Sequence, residues 1–205
     1  MRPRPLARRF FSRPTLDLAR ALLGTWLCRA RDGTVQRGRI VEVEAYTFDA
    51  ASHARDRRQT PRNAVMFGPP GFAYVYFTYG MHHCVNVVAE GDGAPGAVLI
   101  RGLDGLDGAN GPGRLCRLLA IDRTLDRLDL TRGEELWIEA ARPAPPEAVV
   151  QTTRVGIRQA TDLPWRFYLA GSPGVSRRDP AAERALGLSV ASRRAVGSTG
   201  APPRR

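Results

Sequence analysis

The chain has no lysine: all 31 of its basic residues are arginine, against 20 acidic residues in a length of 205. A GC-rich coding bias produces such a composition by itself, so the choice of Arg over Lys says little about binding. It does remove one chemistry, because no side-chain amine is present to form a Schiff base with a sugar or carbonyl. Cysteine is scarce as well. Cys28, Cys84 and Cys116 are widely spaced and form no CxxC, which argues against a zinc ribbon or an iron–sulfur cluster. An odd cysteine count with no secretory segment is expected of a reduced, cytoplasmic protein. No apolar run approaches the ~20 residues of a membrane-spanning helix. The basic start, residues 1–9, is not followed by a signal-peptide core, since Arg20 breaks the one candidate stretch. Internal repeats and a convincing domain linker are also missing, so one domain over residues 1–188 is expected.

What is present is globular, with 43% hydrophobic and 25% charged residues, and long enough to bury a core without staples. The net charge of +11 points to a polyanionic partner, nucleic acid being the commonest. Residues 1–12, rich in Arg and Pro, read as a loose basic arm. Residues 15–28 read as a helix running into a strand, with Leu16, Ala19, Leu22 and Leu23 at helical spacing. The segment RIVEVEAY, 39–46, alternates as a strand. Its period of two puts Glu42, Glu44 and Tyr46 on one face, and Val41, Val43 and Ala45 on the other. Thr60-Pro61 looks like the start of a short helix ended by Gly68-Pro69-Pro70-Gly71. Two β-rich runs within 73–88 flank Tyr79-Gly80-Met81, the pattern of a hairpin. A Gly-rich connection, 102–113, leads into a helix beginning near Arg114. Asn110-Gly111-Pro112-Gly113 before it is either a phosphate cradle or bare turn chemistry. Further strands are expected at 135–139, 152–157 and 166–170, with a Pro-rich stretch at 141–146. Small residues, Arg and Pro after 188 predict a disordered tail over 189–205.

Several residues have chemical potential. Tyr74, Tyr76 and Tyr79 in a basic protein could stack on bases, although Tyr74 and Phe77 read best as ordinary strand residues. Tyr79, beside Gly80 at a turn, has no obvious core to enter and reads as an inserted wedge. Glu44 beside Tyr46 is either a general base with a stacking partner or part of a solvated strand face. His82, His83 and Cys84 superficially suggest a metal site, but alternation sends neighbours to opposite faces, so no metal is expected.

Taken in order, VEVEAY, SHARDRRQTPRN, the tyrosine-rich YVYFTYGMHHCVNVV, GDGA, LIRGL, GPGRLCRLLAI, TRVGI and RFYLAGSPGVS resemble the alkyladenine DNA glycosylase family over most of 16–176. The resemblance implies a single α+β domain: a curved, mostly antiparallel β-sheet flanked by helices, with a protruding, DNA-inserting β-hairpin. It implies a monofunctional enzyme that flips damaged purines from double-stranded DNA, hydrolyses the N-glycosidic bond, works as a monomer and needs no cofactor. By the same resemblance Glu44 is the catalytic carboxylate. Arg101, and the backbone carbonyl of Val155, help to hold the attacking water. Tyr46, His53 and Tyr76 form the base pocket, Asn86 obstructs guanine's exocyclic amine, and Tyr79 enters the duplex. His82 and His83 depart from the family pattern, replacing bulkier aromatics beside the wedge. The spacing from Tyr46 to His53 is shorter than in the vertebrate proteins, and that from Asn86 to Arg101 longer. A non-catalytic nucleic-acid-binding module with a tyrosine stacking platform is the alternative, and it leaves Glu44 and Asn86 without a task.

Overall fold

The computed structural model describes residues 3–91, 93–141 and 149–188. The expected tail, 189–205, and most of the Pro-rich stretch lie outside the described residues. Short helices α1 (Arg8–Phe11) and α2 (Thr15–Leu22) precede strands β1 (Trp26–Arg31), β2 (Thr34–Tyr46), β3 (Ala73–Thr78), β4 (His82–Val88) and β5 (Ala97–Asp104). Helix α3 (Pro112–Leu118), strands β6 (Leu136–Glu139), β7 (Val149–Thr152) and β8 (Arg166–Leu169), and helix α4 (Pro180–Ala185) complete the order. The result is α+β, as the motif series implied. Among the described residues the strands form a single sheet ordered β3-β4-β5-β2-β1-β6, with β8 pairing both β2 and β7. Every pairing is antiparallel.

Strand β2 is the spine. Its first half pairs with β1, and its second half lies between β5 and β8. Against β5 the register slips twice: Ile40 faces Leu103, Glu42 faces Gly102 and Val43 faces Ile100. Val41 and Arg101 are therefore each left without an opposite residue. Such bulges bend a strand and re-aim side chains. Here the slip sends Ile40 into the same core as Val41, although alternation alone would put them on opposite faces. It also turns Arg101 toward the glutamates of β2.

Beyond the bulge the alternation holds. Val43, Ala45, Val75, Val85, Val87, Val98 and Ile100 form one apolar face, packed against Leu18, Ala19 and Leu22 of α2 and Leu115 and Cys116 of α3. Each such buried aliphatic side chain contributes roughly 1.5–3 kcal/mol relative to exposure. The opposite face of β2 carries Glu42 and Glu44, and neither is exposed at all. The open question about that face is thus answered against a solvated strand.

Three expectations need correction. Residues 4–11 are docked rather than loose: the Leu6 N–H donates to the Ile138 carbonyl, Arg8 pairs with Asp129 at 2.5 Å, and Phe11 is fully buried. Composition pointed to a free arm, but Phe11 supplies the apolar anchor that a free arm lacks. The turn after Thr60 is not yet helical. A short 3-10 segment begins only at Ala64, because the Asn63 side chain accepts from the Thr60 N–H and hydroxyl and closes a turn first. Strand β7 ends at Thr152, so 153–157 is a loop, and that loop serves the site described next.

Candidate active site

Beside the sheet lies a pocket of about 450 Å³, within the range of small-molecule sites. Tyr46, His53, Tyr76, Tyr79, Asn86, Arg101 and Val155 all line it. Those seven residues come from β2, β3, β4, β5, the hairpin tip and two loops, and the fold brings them to one cavity. Glu44 does not line it. Its carboxylate sits behind Tyr46 and Arg101 and is fully buried.

A carboxylate removed from water must be compensated. The Val155 N–H donates to Glu44 Oε1 at 2.7 Å, while the Tyr46 hydroxyl and Arg101 Nη1 donate to Oε2 at 2.8 and 3.3 Å. Val155 therefore meets Glu44 through its N–H, a contact separate from the one expected between its carbonyl and the water. An ionised carboxylate offers about four lone-pair sites, and among the described residues these three donors meet it. Burial, and next the Glu44 charge, push the Tyr46 phenol well above its ordinary range, so Tyr46 remains a donor.

Glu42 is the residue that sequence reasoning missed. Its Oε1 accepts from Arg101 Nε at 3.2 Å, Arg166 Nη1 at 3.0 Å and the Ser176 hydroxyl at 3.0 Å, and its Oε2 accepts from the Ser176 N–H at 2.6 Å. Arg101 is thus held between two carboxylates. Alternation had already placed Glu42 and Glu44 on one face, and two glutamates on a buried face require cations. Those cations, however, lie 57 to 124 residues away in sequence.

The aromatic wall is connected too. His53 Nδ1 lies 2.7 Å from the Tyr74 hydroxyl, and the His53 and Tyr76 rings meet edge-on at 4.7 Å. Tyr74, expected as an ordinary strand residue, is buried as one but also holds this histidine. Desolvation of the imidazole's inner side, and the nearby Arg62 cation, lower the His53 pKa. The residue as a whole nonetheless remains exposed at the mouth. The buried Asn63 amide donates to the carbonyls of His53 and Arg58, which fixes the loop carrying both. Asn86 is only 3% exposed, and its amide donates to the Tyr74 carbonyl, so it is a rigid part of the wall.

At the rim, Tyr79 and Gly80 have φ of 52° and 66°, and the Met81 N–H donates to the Thr78 carbonyl. That is the left-handed pair of a type I′ hairpin turn. Tyr79 is 78% exposed and Met81 68%. Phe77, expected to be an ordinary strand residue, is also exposed and packs on His83. His82 instead lies against Gly113, where a Cβ would meet its ring at 2.9 Å. Among the described residues no His, Cys, Asp and Glu group could hold a metal ion. Gly111 and Pro112 begin α3 with no side-chain cap, and Asn110 accepts from Arg114. Arg55 and Arg158 line the mouth, with exposed Arg57, Arg58 and Arg62 nearby.

Comparison with known proteins points to one family. The family model described as methylpurine-DNA glycosylase matches residues 9–173. A protein of Synechococcus elongatus, named provisionally as a 3-methyladenine DNA glycosylase, is 53% identical, covering 87% of this chain and 95% of its own. The DNA-3-methyladenine glycosylases of Homo sapiens and Mus musculus are each 42% identical over 87% of this chain, and over 70% and 63% of their own lengths.

Proposed function

The chain belongs to the methylpurine-DNA glycosylase family, and from that premise we propose that it excises damaged purines from DNA in base-excision repair, by hydrolysing the N-glycosidic bond. The observation that supports this most directly is Glu44: a fully buried carboxylate at the back of an aromatic pocket, held by the Val155 N–H, the Tyr46 hydroxyl and Arg101. A stacked base is out of reach of such a pocket, so the nucleotide flips out of the duplex. The arginines at the mouth hold phosphate, giving affinity that falls with salt. Tyr79 enters the gap, and the unstacking cost is offset by wider contact. Tyr46, His53 and Tyr76 stack on the purine, and a cationic alkylated base gains roughly 0.5–2 kcal/mol over such faces.

Glu44 then takes a proton from a water that reaches it past Tyr46 and Arg101, and that water attacks C1′ as the bond loosens. The carboxylate charge also stabilises the oxocarbenium-like sugar. Glu42 faces Arg166 and Ser176 rather than the pocket, so it is not placed to protonate a departing base. Cationic lesions such as 3-methyladenine need no such acid. Lacking any lysine, the enzyme is monofunctional and leaves the abasic site intact.

The test is a duplex oligonucleotide carrying one hypoxanthine, incubated with the protein and then with hot alkali. Strand scission at the lesion only after alkali, with no borohydride-trapped adduct, is the expected outcome. DNA that is retarded on a gel but chemically unaltered would make the protein a binding module instead.

A further inference from the structure

The side chain of Arg154 is fully buried, and nothing in the hydrolysis above uses it. Its fork donates from Nη1 to the Ala45 carbonyl at 3.0 Å and Asp49 Oδ2 at 3.1 Å, and from Nη2 to Asp49 Oδ1 at 2.7 Å. A longer bond runs from Nη2 to the Ala160 carbonyl at 3.4 Å. The guanidinium lies between two rings, 4.7 Å from the centre of Tyr46 and 5.1 Å from that of Trp165. Asp49 is fixed in turn, accepting from the N–H groups of Thr47 and Ala51.

Two of these contacts, and the chain itself, lead to Glu44. Ala45 is the residue between Glu44 and Tyr46, so the bond to its carbonyl holds the backbone that carries both. Tyr46 lines the pocket and the buried Arg154 does not, which places the guanidinium behind the ring whose hydroxyl binds Glu44. Val155, whose N–H binds the other carboxylate oxygen, follows Arg154 directly in the chain. Arg154 Nε, like Arg29 Nε, is buried with no partner among the described residues. Lysine would not serve here, because a single ammonium cannot reach Asp49, Ala45 and Ala160 in one plane.

We propose that the Arg154–Asp49 pair is a positioning device for the glycosylase reaction: it sets the Tyr46 hydroxyl and the Val155 N–H, two of the three donors that orient the Glu44 carboxylate toward its water. It rests on the reading of Glu44 as the general base. Arg154 does not line the pocket and acts through those two donors.

The test uses full-length protein and a 7-methylguanine duplex, with single-turnover excision at saturating enzyme, lesion-DNA affinity and a melting curve for each variant. Arg154→Lys keeps the charge opposite Asp49 and loses the fork. Asp49→Asn keeps the shape and loses the charge, so it serves if the first variant folds poorly. Misplacement of catalytic groups by about 1 Å costs on the order of 10²-fold in rate, and a loss of that size is expected in the chemical step, with affinity for lesion DNA unchanged. In a Glu44→Gln background the same substitutions should cause no further loss, since the group they position is gone. The proposal is overturned if the bound fraction excises at the parent rate, or if the fold-loss is the same in the Glu44→Gln background. Glu44→Gln that excises like the parent would instead refute the reading of Glu44, a result visible in that single variant alone.

Discussion

Glu42→Gln removes one negative charge from the centre of the buried network while leaving its volume almost unchanged. In the parent, Glu42 Oε1 meets two guanidinium groups, Arg101 and Arg166, at 3.2 and 3.0 Å, and Oε2 accepts the Ser176 N–H at 2.6 Å. A glutamine can present its oxygen to the arginines, but its amide then points an N–H at the N–H of Ser176. Arg166 is left with the carbonyls of Thr153 and Arg177, and Arg101 with Glu44 and the Ser176 hydroxyl. Removing one partner from a buried ion pair costs about 3–5 kcal/mol. At roughly 2–4 °C per kcal/mol for a domain of this size, the melting temperature should fall by about 6–20 °C. The variant should also excise more slowly, because Arg101 loses one of the two anions that hold it against Glu44. Differential scanning calorimetry beside single-turnover excision measures both effects. Adding Arg166→Met should recover part of the lost stability, as it removes one of the stranded cations. A Glu42→Gln protein that melts within a degree or two of the parent, with no recovery in the double variant, would refute the view that Glu42 is the hub of this network.

Tyr79→Ala should slow excision most for well-paired lesions and least in single-stranded DNA, with an unchanged melting temperature, since the side chain is mostly exposed. A uniform loss on every substrate together with a large fall in melting temperature would make Tyr79 a structural residue. Asn86→Ala should admit guanine and raise its release from mismatched sites, as the wall that it forms is pinned by the Tyr74 carbonyl; guanine release at the parent background would move the exclusion elsewhere. Burial raises the pKa of Tyr74 and Tyr168 to about 12, and that of Tyr46 and Tyr76 further. The unfolded chain sheds these protons near pH ~10, so the stabilisation is complete below that pH and declines above it. Phenolate absorbance from these four tyrosines should therefore rise together with unfolding, and an early rise in a chain still folded would contradict their burial.

Much of the local architecture was legible because it rests on short-range rules. Period two in 39–46 separated the glutamates from the valines, and β-rich runs around Tyr79-Gly80 marked the hairpin. The bulge opposite Arg101 was not legible, since it belongs to the pairing of β2 with a strand about sixty residues later, and it alone explains why Ile40 joins the core. The first twelve residues misled through composition: arginine and proline signalled a free arm, whereas Phe11 and the Arg8–Asp129 pair dock it. At the site, the motif series pointed to residues of which all but Glu44 line one pocket, with Glu44 buried behind it. Glu42, Arg154, Asp49, Arg166 and Ser176 went unnoticed because an ion pair leaves no pattern in a sequence when its partners lie on strands and loops far apart. For Glu42 a trace existed, in that two glutamates on one face of a buried strand cannot both be left uncompensated.

The central claim is that Glu44 supplies the base for glycosidic hydrolysis, and Glu44→Gln on a hypoxanthine duplex tests it most directly. Glutamine retains the shape and an oxygen for the Val155 N–H, but it cannot accept a proton from water. Affinity for the lesion should persist while the single-turnover rate falls by about 10²–10⁴-fold, the range for loss of a general base. Excision by the variant at a rate near the parent's, with the protein folded and bound, would contradict the account and place the base elsewhere.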